Sequence, residues 1–73
     1  MRVVEISSEP VELYKILKFE GMVATGGEAK QVISEGLVLV NGKVETRKRN
    51  KIVAGDTIEF DQDKICIQLE TQA

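Results

Sequence analysis

Apolar residues recur at helical spacing in the first half of the chain and alternate with polar ones in the second. Val3 to Ile6 reads as a short strand. Ser7, Ser8 and Glu9 offer N-cap oxygens, and Pro10 suits the first turn of a helix, where its missing N–H would be unpaired anyway. Leu13, Ile16 and Leu17 then fall at i, i+3 and i+4, so this helix has one apolar face. It is expected to run to about Glu20 and to end at Gly21 in the left-handed C′ position. A second helix opens at Thr25-Gly26-Gly27-Glu28, a capping box in which the Thr25 side chain accepts from the Glu28 amide and the Glu28 carboxylate reaches back to the Thr25 amide. Ala29, Val32 and Ile33 make its buried stripe, Val32 and Ile33 contributing roughly 1.5–3 kcal/mol each, and Gly36 stops it. The short connection predicts a helical hairpin.

Beyond Gly36 the period changes to two. Leu37 to Val40 is strand-like, and Asn41-Gly42 is a two-residue hairpin signal, because both central positions of a type I′ turn need positive φ. The return strand is expected near Lys43 to Glu45. Thr46 to Lys51 is a basic run leading to Ile52-Val53, and Ala54-Gly55-Asp56 reads as a turn. Thr57 to Phe60 alternates as a strand, with Phe60 in the core. Asp61 to Asp63 turns the chain into a last strand, Lys64 to Leu69, with Ile65, Ile67 and Leu69 on one face and Cys66 and Gln68 on the other. The fold class is therefore α+β: a two-helix hairpin packed on a small, mostly antiparallel sheet. No repeat or linker divides residues 1–73, which read as a single domain.

Composition narrows the chemistry. Histidine is absent and Cys66 is the only cysteine, so a zinc site cannot be assembled and the commonest general base is missing. Cys66 itself reads as a structurally neutral strand residue, with no histidine in the chain to activate it. There is no Ser-x-x-Lys pattern, phosphate-binding loop or metal-ligand spacing, and a chain of 73 residues leaves little room for a substrate pocket. No enzymatic activity and no cofactor are expected. No apolar run is long enough to cross a membrane, and the first residues show no signal-peptide pattern. With no disulfide to reinforce so small a core, a cytoplasmic location is expected.

The formal net charge is −2, but the charges are segregated. Lys43 to Lys51 carry five cations (Lys43, Arg47, Lys48, Arg49 and Lys51) and one anion, Glu45, while the remainder carries five cations and eleven anions. A local basic stripe on an acidic body fits a polyanionic partner met at a defined place. The same stripe also fits a solvated loop, or a protein-interaction module that meets an acidic partner. Gly26 and Gly27 leave helix-terminal amides open to a phosphate, although the capping box alone accounts for them. Tyr14, Phe19 and Phe60 are the only aromatics, with no exposed pair at sheet spacing. For a nucleic-acid partner, recognition of shape and phosphate fits better than base stacking. Tyr14 reads as a partly buried helix residue, and Lys15 and Lys18 as solvated ones.

The order Gly21, Thr25, Ala29-Lys30, Ile33, Gly36, Val38 and Val40-Asn41-Gly42, followed by Val53-x-Gly55-Asp56-x-Ile58, resembles the RNA-binding module named after ribosomal small-subunit protein four. The run from Val44 to Val53 resembles, more narrowly, the short bacterial YbcJ-like branch of that family, in which the module stands alone. The family-like core spans about 11–60. The resemblance implies the alpha-L motif, a helix–turn–helix on a small sheet, with RNA lying across the helices and the start of the hairpin. The implied partner is structured RNA, ribosomal RNA above all, with ribosomal or assembly proteins nearby. Lys30 matches a basic family position. Glu12 and Gly26 stand where the family often has arginine, so two usual phosphate contacts are missing and the cations of the basic run are candidates to replace them. The residues expected to contact RNA are Lys30, Lys43, Arg47, Lys48, Arg49 and Lys51, with Gly26 and Gly27 as a further phosphate contact.

Overall fold

The computed structural model describes residues 1–70. In chain order the elements are β1 (Arg2–Ile6), β2 (Val11–Glu12), α1 (Leu13–Phe19), α2 (Gly26–Ser34), β3 (Val38–Val40), β4 (Lys43–Val44), β5 (Lys51–Ile52), β6 (Thr57–Phe60) and β7 (Asp63–Leu69). Five strands form one sheet in the order β1-β7-β6-β3-β4, and β2 pairs with β5 in a separate two-stranded sheet. All pairings are antiparallel except β1 with β7. The α+β architecture is as expected.

Both helices end in the same way. At α1 the Gly21 amide donates to Lys18 and the Met22 amide to Leu17; at α2 the Gly36 amide donates to Ile33 and the Leu37 amide to Val32. These paired bonds form Schellman motifs, which need a left-handed C′ residue; Gly21 (φ 71°) and Gly36 (φ 77°) supply it. Because Leu37 closes α2, β3 starts one residue later than expected and Leu37 is exposed. The Asn41-Gly42 hairpin has positive φ at both residues, 53° and 82°, as a type I′ turn requires.

The core lies between the helices and the inner face of the larger sheet. Leu13, Ile16 and Leu17 from α1 and Ala29 and Ile33 from α2 meet Val4, Val38, Ile58, Ile65 and Ile67, with Ile52 closing the end. Val32 and Phe60 are half-buried and pack on the rim of this cluster rather than within it. Leu69 keeps the phase of Ile65 and Ile67 but is exposed.

The entry to α1 departs from expectation. The helix begins at Leu13, not at Pro10, and no side chain caps it. Val11 and Glu12 are extended and pair with Ile52 and Lys51. The Glu9 carboxylate, offered by the sequence as a cap, instead accepts from the Ala54 amide at 2.8 Å. Local cap chemistry at residues 7–10 yields here to pairing with a segment forty residues away in the chain, which carries the fully buried Ile52.

Candidate nucleic-acid interface

The first amides of α1 find acceptors in the basic loop. The Leu13 amide donates to the Asn50 carbonyl at 3.0 Å and the Tyr14 amide to the Lys48 carbonyl at 3.1 Å. Helix-terminal amides otherwise lack partners, so the loop backbone serves as the cap that side chains do not provide. The loop crosses from β4 at the edge of the larger sheet to β5 in the smaller one, and is held against the start of α1 on the way.

Three elements meet there. The Lys30 ammonium from α2 lies 4.8 Å from the Tyr14 ring centroid and the Lys15 ammonium 5.9 Å from it, both within cation–π range. Tyr14 thus joins α1 to α2 through its ring and to the loop through its amide. The stem of Lys18 passes beside Gly26, at 4.0 Å from where a Cβ there would stand.

At the start of α2 the Thr25 hydroxyl accepts from the Glu28 amide at 3.0 Å, as expected. The Glu28 carboxylate accepts from the Ala24 amide at 2.7 Å, one residue earlier than the expected Thr25. The cap therefore engages the amides of Ala24 and Glu28 and leaves those of Gly26 and Gly27 outside it.

The basic run is only partly free. Arg47 is forked onto Glu45, Nε to Oε2 at 3.0 Å and Nη2 to Oε1 at 3.1 Å. The hydrogen bond from Arg47, with its positive charge and backbone amide, holds the Glu45 carboxyl below its ordinary range, and Glu45 in turn raises the Arg47 pKa. Arg49 Nε lies 3.7 Å from the Glu12 carboxylate, which also meets Lys15 at 3.3 Å. Glu12 thus anchors two cations. Among the described residues no carboxylate is in ion-pair distance of Lys30, Lys43, Lys48 or Lys51.

The candidate residues do not form one continuous stripe. Lys48 and Arg49 lie on the loop segment docked at the start of α1, and Lys30 stands over the neighbouring Tyr14. Lys51 faces Glu12 across the small sheet. Lys43 stands apart on β4, opposite Val40 at the edge of the larger sheet. The sequence did not single out Tyr14, Glu12 or Glu45 as parts of this site. Only Glu45 carried a local signal, since residues i and i+2 share a side in extended chain.

The chain as a whole has known relatives. The sequence profile of the S4 domain matches residues 4–68. The Escherichia coli protein YbcJ is 58% identical over 50 residues, 68% of this chain and 71% of that one. The Bacillus subtilis protein RlbA, named a probable ribosome maturation protein, is 34% identical over 58 residues, 80% of this chain and 82% of its own. The solution structure of E. coli YbcJ, described as having an alpha-L motif involved in RNA-binding, superposes with a TM-score of 0.71 at 43% identity, covering 93% of this chain and 87% of that one. The chain belongs to the S4 domain family.

Proposed function

We propose that this protein is a non-enzymatic RNA-binding module of the cytoplasm, taking structured RNA, ribosomal RNA foremost, through backbone phosphates and shape. One observation carries this reading: the start of α1 is capped by the carbonyls of Lys48 and Asn50, so the basic loop has a fixed place beside the helices. Lys30, Lys48, Arg49 and Lys51 gather around that junction, Arg47 extends it, and Lys43 adds a contact at the hairpin. The open amides of Gly26 and Gly27 sit on the positive end of the α2 dipole and take a further phosphate. The YbcJ structure, with its RNA-binding alpha-L motif, and the maturation role in the name of RlbA point the same way.

The test is charge reversal at the loop. The triple variant Arg47→Glu, Lys48→Glu, Arg49→Glu is expected to lose binding to a structured ribosomal RNA fragment while its circular dichroism and unfolding cooperativity persist. Retained binding in a folded triple variant would refute the assignment. Nuclease-resistant capture of an acidic protein by the wild-type chain, with no RNA recovered, would refute it as well.

A further inference from the structure

Glu45 stands at the foot of the basic loop, where charge counting marks it as the one residue that weakens the stripe. Its geometry gives it another role. The Glu45 amide donates to the Val38 carbonyl at 2.9 Å, which ties the residue to β3. Its side chain is 14% exposed, whereas that of Arg47 is 77% exposed. Oε2 accepts from both the backbone amide of Arg47 at 2.9 Å and its Nε at 3.0 Å, and Oε1 accepts from Nη2 at 3.1 Å. A carboxylate anchored to the sheet therefore holds an exposed guanidinium at two points and the backbone amide of the same residue at a third. Arg49 has no such fork, only the single 3.7 Å approach to Glu12.

A guanidinium carries five N–H donors in one rigid plane. The Glu45 fork occupies the side-on edge, consuming the Nε hydrogen and one hydrogen of Nη2. The second hydrogen of Nη2 and one hydrogen of Nη1 remain along the end-on edge, directed away from Glu45. That edge matches two oxygens of a phosphate, which a lysine ammonium cannot engage in the same way. A free arginine gives up rotamer freedom when it binds; one already held has less to lose.

We propose that Glu45 is a positioning residue of the RNA site, locking Arg47 side-on so that its end-on edge meets one RNA phosphodiester in a fixed orientation. This rests on the RNA-binding reading above. It reverses the sign that charge counting assigns to Glu45: removing the anion weakens binding instead of strengthening it.

The experiment titrates a labelled ribosomal RNA stem-loop with the full chain and its Glu45→Gln, Arg47→Lys and doubly substituted variants. Gln keeps the size of Glu45 and an oxygen for the Arg47 amide, but loses the charged fork. Glu45→Gln is expected to bind about five- to tenfold more weakly, while circular dichroism shows the fold retained. In the Arg47→Lys background, where no fork exists, the same substitution is expected to cause no further loss. Equal or tighter binding by Glu45→Gln, or an equal loss in both backgrounds, overturns the proposal while leaving RNA binding standing. The Nε–Hε signal of Arg47 gives a second readout: in the free wild-type chain it is expected to be protected from exchange, and an unprotected signal overturns the lock. A wild-type chain that retains no stem-loop removes the RNA-binding reading, and this proposal with it.

Discussion

The side-chain amide of Asn41 donates to the Asp56 carboxylate at 3.0 Å, joining two turns that lie 15 residues apart in the chain. Asn41 also accepts from the Thr57 amide at 2.9 Å and donates its own amide to the Thr57 carbonyl at 2.9 Å. The second Asp56 oxygen accepts from the Val53 amide at 3.0 Å. The hairpin tip before the basic loop is thereby fastened to the turn just after it, so the loop is anchored at both ends as well as at α1.

Breaking this fastening should cost stability. Asp56→Ala removes two hydrogen bonds at a partly exposed site, and a loss of about 1–2 kcal/mol is expected. For a domain of this size each kcal/mol lowers the melting temperature by roughly 4–8 °C. Asn41→Ala is expected to cost at least as much, because it also places a Cβ-bearing residue without a turn-forming side chain at φ 53°. The double variant should lose less than the two single losses added together, since both remove the same bond. Strict additivity in urea unfolding would show that the Asn41–Asp56 bond contributes nothing.

The cap on α2 gives a smaller and cleaner effect. Thr25→Ala removes the oxygen that accepts from the Glu28 amide at 3.0 Å, and about 1 kcal/mol should be lost. Thr25→Ser restores the hydroxyl and should recover most of it. An Ala variant as stable as the wild type would mean that solvent or the Glu28 carboxylate serves the cap equally well.

Features fixed by neighbouring residues were legible in the sequence, whereas those fixed across the chain were not. Thr25-x-x-Glu28, Asn41-Gly42 and the two helix-ending glycines each specify their own backbone, and all four appear where expected. The start of α1 was misplaced because Ser7 to Pro10 carry strong local cap chemistry, while the pairing of Val11–Glu12 with Lys51–Ile52 leaves no trace in either segment alone. The parallel union of β1 with β7 was hidden for the same reason. At the candidate site, charge order identified the basic run, but it could not show that Glu45 and Glu12 hold two of its arginines. Nor could it show that Tyr14 gathers Lys15 and Lys30, because that contact depends on the crossing of two helices.

The Glu45–Arg47 fork should be visible in a titration. Its folded pKa lies below the ordinary value, chiefly through the Arg47 side-chain hydrogen bond. Any stability from the fork is therefore present above the unfolded pKa and is lost as pH falls through the lower, folded one. The Glu45 carboxyl carbon, followed by NMR, should titrate at a midpoint below 4.5, the ordinary value. In Arg47→Gln the midpoint should rise toward that value. An identical midpoint in the two proteins would mean the guanidinium does not hold the carboxylate in solution.

Salt dependence separates the free cations from the paired ones. Arg47 and Arg49 come to the RNA with their own counter-charges, Glu45 and Glu12, so neither should release a condensed ion from the phosphates. Lys30, Lys43, Lys48 and Lys51 have no such partner among the described residues. Four phosphate contacts give a slope of log affinity against log salt of about −3, which is roughly a 50-fold loss for a fourfold rise in salt. Lys48→Gln should flatten the slope by about 0.7–0.9, whereas Arg47→Gln should weaken binding with the slope nearly unchanged. The two substitutions remove the same formal charge, so a difference in slope reports the pairing of Arg47 with the carboxylate beside it. If both variants flatten the slope equally, Glu45 does not neutralise Arg47 in the complex and the loop acts as a plain sum of its charges.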